Sequence, residues 1–453
     1  MSSSAPYRAD AALTQHSVDL CQALLRIDTT NPPGNEREAA DLCATELRAG
    51  GLEPVILESA PGRANVVARL RATRDVGKPP LLLTAHLDVV GVDPEHWEHP
   101  PFAGVIADGC LWGRGAIDMK NMAAMSVAVI KRLAQDRVPL DRDVIFAGVA
   151  DEEAGCRHGS FWLADNHADL VRSEFALGEG GGFNMHLGNK NFFVVQVAEK
   201  GVCWVKARVR GEPGHGSLPR PDSAVHKLAA GIERLRRRGL SQRVTPVMRD
   251  FVMALAEGQP AAVKALLPRL LEPGIAPHWL KLLPDQSVAR ALGAMLGNTA
   301  SPTVLRAGSK TNVIPSLAEV DIDGRVLPGT TTDEFLAELQ AVLGPEFELE
   351  VTNAWNPMVT SPRESSFLEC IHEVMAVREP DAPLVPYLMP GFTDATAFTS
   401  IGARWYGFAP VKLPKGMKFA DMFHGHNERI PVDGLRWGTE TLTDLLVRFA
   451  GVR

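Results

Sequence analysis

DVIFAGVADEEAG, residues 143–155, sets an apolar run against three consecutive acids, Asp151, Glu152 and Glu153. Val144, Ile145, Phe146 and Val149 have the unbroken apolar character of a strand covered on both faces, as in a parallel sheet sandwiched by helices. Carboxylates crowded at the end of such a strand repel one another and lose hydration. The stretch therefore predicts an α/β layered domain with a counter-charge held where the strand stops.

Outward from it, between residue 35 and about 200, helical patterns (NEREAADLCATELRAGG, IDMKNMAAMSVAVIKRLAQ) alternate with short apolar strands (NVVARLRA, PLLLTAHLDVV, EFALGEGGG, NFFVVQVAEKG). That alternation is the signature of a mainly parallel sheet with helices on its faces. After about residue 201 the pattern changes. VCWVKARVRG, SLAEVDIDGRV and FELEV alternate apolar with charged residues, as strands with one wet face do. The order strand, helix, strand, strand, helix, strand predicts a ferredoxin-like α+β domain, interrupted by an irregular apolar insertion at about 243–300. The layered pattern resumes after about 356 with SSFLECIHEVMAV, ARWYGFAPV and GLRWGTETLTDLLVRFA. The expected organisation is thus 1–200 as the first part of an α/β domain, 201–355 as the inserted domain, and 356–453 as the completion of the first.

Charge and cysteine usage exclude several classes. A net charge of -7 with no long single-sign run argues against nucleic acid and anionic membrane as partners. RLRRRG at 234–239 closes an amphipathic pattern and reads as a solvated helix end. The amino-terminal MSSSAPYRADAAL lacks the basic-then-apolar order of a signal peptide, and no run reaches the ~20 apolar residues that span a bilayer, so a cytoplasmic location is expected. Cys21, Cys43, Cys110, Cys156, Cys203 and Cys370 lie far apart without a Cys-x-x-Cys pair and are expected to be buried free thiols.

The acids beyond Asp151 belong to a series of polar stations. PLLLTAHLDVV ends in His86 and Asp88, two apart and on one strand face, so His86 can bind a metal while Asp88 or another acceptor orients its ring. LWGRGAIDMK places Asp118 before a helix, Glu152 and Glu153 follow the next strand, and Glu179 follows ALG in ALGEGGG. Each station has a plainer reading, a satisfied histidine or a helix cap. Together they mark the carboxyl edge of one sheet, where open α/β folds place their sites. Asp118, Glu152, Glu153 and Glu179 stay ionised together only beside cations, and two divalent ions supply the charge. Carboxylate and imidazole suit Zn²⁺, with Co²⁺ or Mn²⁺ as alternatives. MFHGHNERIPV adds a histidine, either His424 or His426.

TAHLDVV, GRGAIDMKN, DEEAG, GEGGG, GHGSLP, NVIPS, DGRVLPG and FHGHNERI resemble, in order and spacing, the motifs of the dinuclear zinc family of aminoacylase, acetylornithine deacetylase, succinyl-diaminopimelate desuccinylase and glutamate-releasing carboxypeptidases, from about residue 20 onward. The resemblance implies a zinc-peptidase catalytic domain carrying an inserted lid and dimerisation domain. It makes Asp118 the bridging carboxylate, His86 and Glu179 the further ligands of one metal, and Glu153 and His424 those of the other, His424 being preferred by the form His-x-x-Asn-Glu. Glu152 is then the acid left to act as general base on a water shared by the metals. The same likeness implies a cis peptide between Asp118 and Met119.

It further makes His215 an oxyanion donor from the lid, in some relatives across a dimer, and Arg325 and Asn312 the groups that hold a substrate carboxylate. A surface ion pair is the plainer reading of Arg325. PGFTDA departs from the family, with Phe392 after Gly391 in a late loop expected to touch substrate. The implied activity is hydrolysis of an amide bond in a dipeptide or N-acyl amino acid with a free carboxylate. A carbamoyl or amidino amidohydrolase is the enzymatic alternative, and a non-catalytic binding protein of the same fold is the other.

Overall fold

The computed structural model describes residues 7–452 except 189, 273, 283–285 and 356–359. The chain divides into two compact units, one of Met1–Val197, Ser361–Tyr387 and Thr393–Arg453, the other of Ala198–Thr360 and Leu388–Phe392. The domain boundary expected at 356 lies outside the described residues, and the short piece that carries Gly391 groups with the second unit.

The first unit is built on a nine-stranded sheet in the order Val55–Ala60, Arg63–Leu70, Arg142–Val149, Lys78–His86, Phe175–Gly178, Arg404–Gly407, Lys190–Glu199, Leu384–Met389, with Asn184–Leu187 paired to Lys190–Glu199. Its centre is parallel: Arg142–Val149, Lys78–His86, Phe175–Gly178 and Arg404–Gly407 run the same way. The flanks turn antiparallel, because Val55–Ala60 and Arg63–Leu70 form a hairpin that pairs antiparallel to Arg142–Val149. The central strands are covered on both faces and need no alternation, which is why LLLTAH and VIFAGV read as unbroken apolar runs. Between the strands Lys78–His86 and Arg142–Val149 runs the helix Lys120–Gln135, packed among Ala11–Leu25, Arg37–Ala49 and Val432–Ala450. Its small residues Ala123, Ala124, Ser126 and Ala128 are fully buried, letting several neighbours approach at once. Parallel strands bring their carboxyl ends to one edge, so His86, the turn after Val149 and the turn after Gly178 arrive together.

The second unit has a four-stranded antiparallel sheet in the order Thr299–Ala307, Leu317–Val326, Gly201–Arg210, Phe347–Trp355. With the helices Ala224–Arg238 and Thr332–Leu343 it has ferredoxin-like order, and Val205, Ala207, Val209, Val320, Ile322, Phe335 and Leu339 form its core. Thr331 and Glu334 form the capping box at the start of the second helix.

The 243–300 insertion, expected to be irregular, is helical among its described residues: Pro246–Ala256, Ala261–Leu266, Ala276–Leu282 and Gln286–Met295, with a 3-10 turn at Leu267–Leu271. Prolines at the starts of these segments cut the apolar periodicity into pieces too short to register as helices, and part of HWLKLLPD, 283–285, lies outside the described residues. Lys200, from the strand segment before the second unit's sheet, binds the end of the insertion. Its buried ammonium donates to Ala294 O at 2.9 Å, Gly297 O at 2.8 Å and Thr299 Oγ1 at 3.2 Å, and burial pushes its pKa down to about 7.

Candidate metal centre

His86 is the last residue of its strand and is fully buried. Nδ1 lies 3.0 Å from the main-chain oxygen of Asp88, which can only accept, so Nδ1 carries a proton. Nε2 points the other way, 3.0 Å from Asp118 Oδ1 and 3.7 Å from Glu179 Oε2. The ring is therefore oriented mainly by the Asp88 carbonyl, with the carboxylate farther off at 3.6 Å. The strand stops at His86, so the rule placing residues two apart on one face no longer governs Asp88. The Asp88 carboxylate instead accepts the N–H groups of Glu152 and Glu153, each at 3.1 Å, and the Asn31 amide at 2.8 Å.

Asp118 is not a helix cap: the cap position of Lys120–Gln135 is Met119, without a side-chain hydrogen bond. The Asp118–Met119 peptide is cis. The two carboxylate oxygens of Asp118 face different histidines, Oδ1 toward His86 and Oδ2 toward His424 Nε2 at 3.3 Å. The loop carrying Asp118 is seated on Glu428, a fully buried carboxylate. Glu428 accepts the N–H groups of Gly115, Ile117 and Asp118 at 3.1, 2.8 and 3.1 Å and pairs with Arg114 at 2.6 Å. Sequence reasoning assigned Glu428 no task, although it stands in the motif FHGHNERI.

The opening acids do not end the strand. Arg142–Val149 stops earlier, Asp151 takes a left-handed conformation (φ 69°), and Glu152 and Glu153 lie on a single 3-10 turn. Glu153 Oε2 is 3.0 Å from His424 Nε2, whereas Glu152 is buried within ligand reach of both His86 and Glu153. Asp151 is held elsewhere, by Arg63 Nη2 at 2.7 Å and the His158 N–H at 3.0 Å. Of the two candidate histidines, His424 joins the cluster, and His426 packs edge-on against His96.

Charge decides what this cluster can hold. Burial raises the pKa of Glu152 well above its usual value, and the negative Glu179 adds to the rise. Burial likewise raises Glu153, and pushes Glu179 up to about 8 despite hydrogen bonding from His86. Asp118 goes the other way, since hydrogen bonds from His424 and His86 outweigh its burial. His424, whose burial alone would lower it, is raised to about 10 by Asp118 and Glu153. Protons on the histidines thus do the work that a cation does better. Glu153 Oε1 and Glu179 Oε1 are buried without a protein hydrogen-bond partner, as expected of oxygens meant for a metal. The sets His86, Asp118, Glu179 and Asp118, Glu153, His424 each converge tightly enough to hold an ion, with Asp118 common to both. Cys156 is buried nearby with its thiol pushed well up by burial, so it offers no thiolate.

The remaining candidates belong to the second unit. His215 and Asn312 lie on neighbouring segments of a small ribbon, where His215 pairs with Val313 and Gly216 N donates to Asn312 O at 2.9 Å. Ser217 stands against His215 Nδ1, its Oγ at 2.8 Å and its N–H at 3.2 Å. Arg325 makes a two-point pair with Asp323 at 2.8 and 3.1 Å and lies 5.4 Å from the Phe392 ring. At Gly391 a Cβ would meet only Met389 Cε at 3.5 Å, so packing within the unit does not demand glycine there.

The profile of peptidase family M20/M25/M40 matches residues 82–448, which span His86, Asp118, Glu152, Glu153, Glu179 and His424. The chain belongs to peptidase family M20/M25/M40. It is a hydrolase of that family. N-fatty-acyl-amino acid synthase/hydrolase PM20D1 of Xenopus tropicalis is 30% identical to this M20 chain over 389 residues, 82% of this chain and 71% of that protein. Human aminoacylase-1 is 27% identical over 443 residues, 96% of each chain. Among solved structures, the M20 family metallo-carboxypeptidase Sso-CP2 from Sulfolobus solfataricus shares the fold, with a TM-score of 0.69 at 19% identity over 95% of this chain and 98% of that one.

Proposed function

We propose that this M20 hydrolase cleaves an amide bond in a small substrate bearing a free carboxylate, an N-acyl amino acid or a dipeptide, using two divalent cations, most simply Zn²⁺, with Co²⁺ or Mn²⁺ able to substitute. The observation that carries the reading is Asp118, one buried carboxylate whose two oxygens face His86 and His424 separately. His86, Asp118 and Glu179 would hold one ion, and Asp118, Glu153 and His424 the other. When bound, such a pair supplies Lewis acidity, making water a better nucleophile and a carbonyl a better electrophile.

The chain's own groups do the rest. Glu152 is the general base: buried and raised in pKa, it takes the proton of the attacking water and returns it to the leaving nitrogen. Asp88 holds the turn that aims Glu152 and Glu153, through both of their N–H groups. His215, with Ser217 against its Nδ1, is the donor to the developing oxyanion. Asn312 and Arg325 bind the substrate carboxylate, Arg325 with its plane already set by Asp323, and Gly391 keeps the late loop open next to Phe392, which faces Arg325.

The second unit serves as lid and dimerisation domain. Support for a homodimer comes from Thr299–Ala307, an edge strand of its sheet that exposes Val304 and Leu305 and is open to pairing with another copy. No helix among the described residues is long and apolar enough to cross a membrane. Cys21, Cys43, Cys110, Cys156 and Cys203 are buried free thiols, which fits a reducing compartment, and we place the enzyme in the cytoplasm. The names of the relatives, an N-fatty-acyl-amino acid hydrolase and an aminoacylase, favour N-acyl amino acids.

The test is a panel of N-acyl amino acids of graded chain length, dipeptides and carbamoyl amino acids, assayed with the chelated protein and with added Zn²⁺, Co²⁺ or Mn²⁺. Turnover confined to the carbamoyl compounds would replace the amide reading, and metal-independent turnover would end it.

A further inference from the structure

The guanidinium of Arg63 is buried at the start of the strand Arg63–Leu70, and the segment NPPGNE, residues 31–36, is wrapped around it. Nε and Nη2 donate to the two oxygens of Glu36 at 2.9 and 2.8 Å, Nη1 donates to Pro33 O at 3.3 Å, and Nη2 also donates to Asp151 Oδ1 at 2.7 Å. Gly34 has to be glycine, since a Cβ there would stand 2.5 Å from Arg63 Cζ and Nε. Asn31 completes the wrap: its amide donates to Asp151 Oδ1 at 3.1 Å and to Asp88 Oδ2 at 2.8 Å.

The sheet register explains why Arg63 reaches this place. Val66 pairs with Gly148 in an antiparallel ladder, and the same register carried onward sets Asn65 opposite Val149 and Arg63 opposite Asp151. Side chains take over where the ladder stops, with Asn65 Oδ1 accepting the Ala150 N–H at 3.0 Å and Arg63 gripping Asp151. Asp151 is the left-handed residue from which Glu152 and Glu153 issue. A non-glycine residue holds that conformation only when its surroundings impose it.

We propose that Arg63 is a positioning residue for the hydrolysis, fixing the Asp151 turn so that Glu152 meets the attacking water and Glu153 meets a metal. Asn31 couples that turn to Asp88, which holds the next two N–H groups, so base and ligand are aimed by one buried network. This rests on the assignment of Glu152 as base and Glu153 as ligand. A planar fork is needed, because Glu36 and Asp151 are bound at once by one guanidinium, and a lysine ammonium lacks that geometry.

The experiment compares Arg63→Lys and the double variant Arg63→Met/Glu36→Gln, which removes the fully buried one of the two carboxylates that the arginine pairs, with wild type and Glu152→Gln. Melting temperature, kcat and KM on the substrate found by the panel, and visible absorption during Co²⁺ titration of the metal-free protein are measured. Loss of an outer residue that orients a metal site typically costs about 10- to 100-fold. Arg63→Lys and the double variant, while folded, are expected to lose about that factor in kcat with KM nearly constant, and to show weaker and altered Co²⁺ absorption. Wild-type kcat and Co²⁺ spectra in a folded Arg63 variant overturn the proposal, as does an activity loss that only tracks the unfolded fraction. An active Glu152→Gln enzyme would instead overturn the assignment of the base, which separates the two failures.

Discussion

The carboxylate of Glu428 accepts the main-chain N–H of Asp118 at 3.1 Å, so one buried acid seats the residue that stands between the two histidines of the site. The same carboxylate pairs with Arg114, which is also buried. Removing Glu428 strands a guanidinium and frees the loop at once. Glu428→Ala should cost about 3–5 kcal/mol in stability, as loss of one partner of a buried ion pair does. Metal affinity should fall by about 10- to 100-fold. Denaturant unfolding with and without Zn²⁺ measures both, and an unchanged midpoint would refute the seating role.

Glu152 and Glu153 are neighbours with different partners, since only Glu153 meets His424. Glu153→Gln is expected to lose metal affinity and activity together. Glu152→Gln should keep its metal while losing most of its turnover. Metal analysis beside kcat separates the two, and equal metal loss in both would mean that the roles are not divided this way.

Metal removal should be strongly pH-linked. In the folded protein without metal, Glu179 is pushed up from 4.5 to about 8 and His424 is raised from 6.5 to about 10. Both groups hold protons more tightly folded than unfolded, so their stabilisation is complete below the unfolded values and lost as pH rises through the folded ones. The chelated enzyme should therefore melt lower as pH rises from about 5 to about 10, and the stabilisation on adding Zn²⁺ should grow over the same range. Because the metal displaces protons, titration calorimetry in buffers of different ionisation enthalpy should show proton release near neutral pH. A binding enthalpy independent of buffer would contradict it.

His215 is predicted to act on the transition state. His215→Ala should lower kcat by about 10²- to 10³-fold with metal content unchanged and KM little affected. Mixing it with Glu152→Gln subunits tells whether it acts across a dimer. Recovered activity means that it does, and no recovery places it within one chain. A normal kcat would remove His215 from the chemistry.

The edge strand Thr299–Ala307 supplies a test of the dimer. Leu305→Lys puts a charge on an exposed edge residue without disturbing the core of its unit and should shift the protein toward monomer in sedimentation velocity. An unchanged species distribution would locate any dimer elsewhere.

Local patterns determined much of this protein. Unbroken apolar strands marked the parallel centre of the sheet, alternation marked the antiparallel sheet of the second unit, and the polar stations at the strand ends marked His86, Asp118, Glu152, Glu153 and Glu179. These were legible because burial on one face or two acts residue by residue along a strand. Tertiary structure decided what depends on partners far apart in the chain. It brought His424 rather than His426 to the acids, gave Glu428 the loop of Asp118, and set Arg63 on Asp151, 88 residues away. It also turned the flanking strands antiparallel and folded the proline-broken insertion into short helices. The reason is the same in each case. A carboxylate reads alike in sequence whether it binds metal, accepts N–H groups or pairs with arginine, and only the neighbour that replaces its lost water determines which.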